Sequence, residues 1–86
     1  MRFLRTKSFS KSAARLTNHQ IKAMDAALAL FEMSRQNPAL RDHALKGKMK
    51  GYRSFSAGWD LRVIYREEGG FITIILIDVG SHNQVY

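Results

Sequence analysis

A chain of 86 residues, 45% hydrophobic and without cysteine, suffices for one compact core. A single domain over residues 1–86 is therefore expected, and disulfides, thiolate nucleophiles and cysteine-held metals are excluded together. The formal net charge of +7 is clustered: residues 1–22 carry six basic side chains and no acid, and Arg41–Arg53 carry five against Asp42 alone, a pattern suited to a polyanion or an acidic protein.

Arg2–Ser8 alternates in polarity, which predicts a short first strand. The acid-free Met1–Leu16 superficially resembles a transit peptide in composition, but Met1–Phe9 reads better as that strand. Ser10 is placed to cap a helix from Lys11, and Thr17 or Asn18 to cap a second running through Ile21, Met24, Leu28 and Phe31. The three-and-four spacing of those four gathers them on one core-facing stripe. Asn37-Pro38 ends the long helix and starts a short one, with His43 at its end.

From Gly51 the period changes to two. Tyr52–Ala57, Leu61–Glu67 and Phe71–Val79 read as strands, with Gly58 in the first connection and Glu68-Gly69-Gly70 turning the last hairpin. The last strand is apolar on both faces and is expected to be central. The longest apolar run, Phe71–Ile77, is far short of the roughly 20 residues that span a bilayer as a helix, so a cytoplasmic location with no membrane partner is expected. The predicted class is α+β: an N-terminal strand, a helical hairpin packed on a sheet, and an antiparallel β-meander.

No glycine-rich phosphate loop, HExxH zinc motif or serine elbow is present, and the three histidines lack metal-ligand spacing. Neither a metal nor a small-molecule cofactor is expected. His19 reads as an exposed helix residue. The remaining polar candidates are His43, Lys46, Lys48, Lys50, Arg53, Asp60, Arg62, His82 and Tyr86. Period-two geometry puts Asp60, Arg62, Ile64 and Arg66 on one strand face. A carboxylate beside a guanidinium is commonly only an ion pair; joined by two histidines and a tyrosine, it becomes a phosphoryl-transfer site of proton shuttles and a cationic clamp. Tyr86, the last residue, reads either as a frayed end or as a group that stacks on a base or positions a phosphate. Arg53, Tyr52 and Trp59 fit either base stacking or a completed core, and Tyr52 fits the core better.

Four separated runs now stand in order: His43-Ala44-Leu45-Lys46-Gly47, Gly51-Tyr52-Arg53-Ser54, Gly58-Trp59-Asp60-Leu61-Arg62-Val63-Ile64-Tyr65, and Val79-Gly80-Ser81-His82-Asn83-Gln84-Val85-Tyr86. They resemble the C-terminal half of RelE/ParE toxins of type II toxin–antitoxin systems, nearest to the YafQ-like branch. The likeness is close over residues 43–86 and one of pattern in the helices.

This resemblance implies a microbial RNase-like fold with a strongly twisted meander, and an endoribonuclease that cleaves messenger RNA on the ribosome by attack of a 2′-hydroxyl on the neighbouring phosphate, without a metal. It also implies a cognate antitoxin that silences the toxin. By position it makes His43, Asp60, His82 and Tyr86 catalytic and matches Arg62 to an arginine used by RelE-like members. Lys46, Lys48 and Lys50, which would project together if extended, and Arg53 are then the expected RNA-binding residues; a solvated basic loop is the plainer reading of the lysines. Ser56 stands where YafQ-like toxins place another histidine, which leaves the general base open between His43 and His82. The superfamily also contains ParE-like inhibitors of DNA gyrase, and a nuclease-dead antitoxin-binding module is a further alternative; His43, His82 and Tyr86 favour the nuclease.

Overall fold

The computed structural model describes residues 1–86. The first strand, β1 (Arg2–Arg5), is shorter than its alternation suggested, because Thr6 ends it. The Thr6 hydroxyl accepts from the Phe9 amide at 3.1 Å and donates to the Leu76 carbonyl at 2.8 Å. Thr6, and not Ser10, thus caps α1 (Lys7–Ala13). α2 (Asn18–Met33) begins at Thr17 with a reciprocal capping box to Gln20, and its expected stripe faces inward, with Met24 and Phe31 buried and Leu28 packed beside the core.

Asn37 caps the short 3₁₀ turn Pro38–Leu40. His43 does not close that turn; it lies in a two-residue strand, β2 (His43–Ala44), too short to show any periodicity. A second 3₁₀ turn, Gly47–Met49, leads to β3 (Arg53–Ala57), β4 (Leu61–Glu68) and β5 (Thr73–Ser81). β5 starts later than its apolar run suggested, because Phe71 has φ +71° and belongs to the turn. A final helical turn, α3 (His82–Val85), carries a Ser81/Gln84 capping box that was not anticipated.

The five strands form one sheet in the order β1-β5-β4-β3-β2. β2 to β5 are antiparallel neighbours, whereas β1 lies parallel to β5, pairing Arg2 with Thr73 and Arg5 with Leu76. β5 is therefore flanked on both sides, as its two apolar faces required. A bulge between Ile64 and Tyr65 shifts the β4–β5 register. α1 packs on β5, and α2 on β3 and β4. Between helices and sheet lie Phe9, Phe31, Phe55, Val63, Tyr65, Ile74 and Leu76, all essentially inaccessible. Phe31 stacks on Phe55 at 4.8 Å and meets Tyr65 edge-on at 5.2 Å, geometries that add to area burial. No helix is long and apolar enough to cross a membrane. α1 and α2 claim one face of the sheet; the other carries the polar residues below.

Candidate active site

Strand alternation sends Arg53, Phe55 and Ala57 of β3 toward the helices or their margin and Ser54 and Ser56 to the opposite face. Cross-strand pairs point the same way, so two rungs can be followed there. One joins His43, Ser54 and Ile64; the other joins Ser56, Arg62 and Gly80. Ile64 is fully buried yet separate from the main core.

The chain's end folds back beside these rungs. α3 packs against β4 and β5, and Gly80 is required for it: a Cβ there would stand 2.9 Å from the Gln84 Oε1 and 3.2 Å from its Cβ. The Tyr86 hydroxyl then donates to the Ser54 Oγ, and the Tyr86 and His82 rings meet edge-on with centroids 4.5 Å apart. His43, across the ladder from Ser54, has its Nδ1 2.7 Å from the Arg41 carbonyl. A carbonyl only accepts, so Nδ1 carries the proton and, in the neutral ring, Nε2 has the lone pair. His43, Arg62 and the His82–Tyr86 turn, distant from one another in sequence, are thus brought to one face of the sheet. Tyr86 is half exposed and anchored rather than frayed.

Other expected placements change. Asp60 lies in the exposed turn between β3 and β4, not on the strand, and makes no ion pair with Arg62. Arg62 instead gives Nη1 to the carbonyls of Trp59 and Leu61, at 3.2 and 3.1 Å, and so fastens that turn; Nε and Nη2 make no bond within the protein. Lys46, Lys48 and Lys50 are all exposed, but the 3₁₀ turn curls their segment, so they do not project as an extended row. Tyr52 is only half buried and stands outside the main core.

Arg53 is engaged internally. Its Nη2 meets Asp42 at 3.1 Å, its Nε donates to the Tyr65 hydroxyl at 2.9 Å, and its guanidinium lies over the Phe71 ring together with that of Arg35. Asp42, with a side chain only 5% exposed, also accepts from Arg35 at 3.0 Å and from Tyr65. Burial raises the Tyr65 phenol pKa, and its hydrogen bond to Asp42 raises it further. Burial alone would lower the Arg53 pKa, but its bonds to Asp42 and Tyr65 raise it on balance. This network ties the segment before β2 to β3 and β4 and engages Arg53 internally. Sequence reasoning missed Asp42, Ser54 and Tyr65, since the partners of Ser54 and Tyr65 lie 32 and 23 residues away.

A family model described as the bacterial toxin of type II toxin–antitoxin systems, YafQ, matches residues 1–86. Among solved structures, YafQ from E. coli strain BL21(DE3) superposes with a TM-score of 0.83 at 18% identity, covering 100% of this chain and 99% of that one. The YoeB/ParE toxin from Agrobacterium tumefaciens gives 0.77 at 20% identity, covering 95% and 99%. The E. coli DinJ–YafQ complex gives 0.76 at 19%, covering 100% and 99%. No curated protein matches the chain in sequence. At these identities the structures establish the fold, and the family rests on the whole-chain match.

Proposed function

The chain belongs to the YafQ family and is a toxin of a type II toxin–antitoxin system, and from that premise we propose that it is an endoribonuclease that cleaves messenger RNA on the ribosome. One observation carries the reading: Tyr86 touches both Ser54 and His82, and Ser54 is the ladder partner of His43, so two histidines and a tyrosine gather one rung from that of Arg62. Histidine gives and takes protons near neutral pH, and an arginine fork matches a phosphate.

In the proposed reaction the 2′-hydroxyl of one nucleotide attacks the adjacent phosphorus. The P–O2′ bond forms and the P–O5′ bond breaks, leaving a 2′,3′-cyclic phosphate and a 5′-hydroxyl. His43 Nε2 takes the 2′ proton, because the Arg41 carbonyl holds the other ring nitrogen protonated. His82 gives a proton to the leaving O5′, and Arg62 meets the phosphorane charge with its free Nε and Nη2. Tyr86 holds the His82 ring in place and flanks the phosphate. Ser56, opposite Arg62, lacks the nitrogen of the family's histidine, which leaves proton transfer to His43 and His82. Asp60, at the turn, is assigned a contact to the RNA. The exposed Lys46, Lys48 and Lys50 supply non-specific attraction to messenger or ribosomal phosphates.

YafQ is found in a complex with DinJ, and a cognate antitoxin is the proposed partner here, working in the cytoplasm. The second reading, inhibition of DNA gyrase without RNA cleavage, shares this fold and is favoured by none of the residues above. Production of the protein in bacteria separates them: arrested translation with normal supercoiling supports the nuclease, and altered supercoiling with intact messenger RNA overturns it.

A further inference from the structure

Trp59 is the protein's single tryptophan and is 90% exposed. A large apolar ring held out in water is not spent on the core. Nor is its turn loose: Gly58 takes φ +72°, and Arg62 donates to the Trp59 carbonyl. Together with Pro38, Ala39, Arg41, Ser56 and Gly58, Trp59 lines a groove. Ser56, part of that lining, is the rung partner of Arg62. The second wall is fixed as well, because Arg41, exposed and at φ +50°, offers its carbonyl to His43 Nδ1. Each wall is therefore bonded to a residue of the proposed site.

We propose that Trp59 and Arg41 form a nucleobase clamp, in which the base of the nucleotide flanking the scissile phosphate stacks on the Trp59 indole while the Arg41 guanidinium covers its other side or pairs with its phosphate. This rests on the RNA-cleaving reading and names how that site holds its substrate. The +7 charge suits single-stranded RNA, and an aromatic face with an arginine accepts any base, because every base presents a π-face. Trp59 is a positioning residue: its backbone is tied to Arg62, so a stacked base would set the next phosphate against the guanidinium.

The test is single-turnover cleavage of messenger RNA on programmed ribosomes by the parent, Trp59→Ala and Trp59→Phe. Loss of one stacked base weakens binding roughly 5- to 150-fold. Trp59→Ala is expected to raise the half-saturating concentration by that factor, and Trp59→Phe to restore most of it. An unchanged half-saturation in Trp59→Ala overturns the clamp, as does weakened antitoxin binding with unaltered cleavage, which would assign the ring to the protein partner. The single-tryptophan emission supplies a readout independent of activity. An oligoribonucleotide made uncleavable by 2′-deoxy substitution is expected to quench it, and an abasic chain of equal length is not. If the parent cleaves no RNA the nuclease reading falls, yet the titration still decides the clamp: emission unmoved by saturating oligonucleotide overturns it.

Discussion

The Tyr86 hydroxyl donates to the Oγ of Ser54, a side chain with no exposed surface, and so fastens the last residue of the chain to the sheet. Tyr86→Phe leaves that buried serine oxygen without its partner, at a cost of about 1–3 kcal/mol, whereas Ser54→Ala combined with Tyr86→Phe removes both halves and costs less than the two single changes summed. Urea unfolding of the four proteins measures the coupling. Strict additivity would mean that the bond is not formed in solution. An extension after Tyr86 crowds the same contact and is expected to reduce activity more than one before Met1.

Arg62 fastens the turn with one nitrogen and keeps two for substrate. Lysine at this position retains the charge but not the fork. Arg62→Lys is expected to lose about 10²-fold in cleavage rate, the scale of one lost transition-state donor, with little change in melting temperature. Full activity in this variant would remove the proposed phosphate contact.

Asp42 is the buried anion of a network with two guanidinia, each about a quarter exposed. Asp42→Ala leaves those cations uncompensated and is expected to cost about 3 kcal/mol, at the low end of buried pairs because the arginines still reach water. Arg53→Ala is expected to destabilise the fold before it affects RNA affinity; the opposite order, read by comparing melting with RNA binding, would return Arg53 to the RNA-contacting set.

The raised pKa of Tyr65 predicts an alkaline limb of stability. The folded state holds the phenolic proton more tightly than the unfolded chain does. The contribution is therefore complete below the unfolded value of about 10 and is lost as pH rises from there toward the folded value, with a slope of at most about 1.4 kcal/mol per pH unit. Tyr65→Phe is expected to remove that slope, whatever it does to stability at neutral pH. Parallel stability curves for the two proteins between pH 9 and 11 would contradict the assignment.

How much of this was legible in the sequence depends on the range of the forces involved. α2, β3 and β4 follow from local periodicity, which is why Met24, Phe31 and Val63 lie where the pattern puts them. The start of α1 was misplaced because Thr6 and Ser10 are both capable caps, and the choice is made by the bond from Thr6 to Leu76, 70 residues away. β2 is too short for any period to show. α3 was readable from the Ser81/Gln84 spacing but was overlooked beside the glycine that precedes it. His43, Arg62, His82 and Tyr86 stood out as chemistry-bearing residues, yet their convergence depends on the Tyr86–Ser54 bond. Asp60 was misplaced because the strand period was carried one residue into the turn. The internal partners of Arg53, Asp42 and Tyr65, were not legible because they sit on a separate connection and a separate strand.

The most direct test of the account is cleavage of messenger RNA on programmed 70S ribosomes by the parent protein and by His82→Ala, with free RNA as the comparison. The account predicts ribosome-dependent cuts that fall by about 10²- to 10⁴-fold in the variant, the usual loss for a missing acid–base group. Cleavage by His82→Ala at the parental rate, or none by the folded parent, would contradict it.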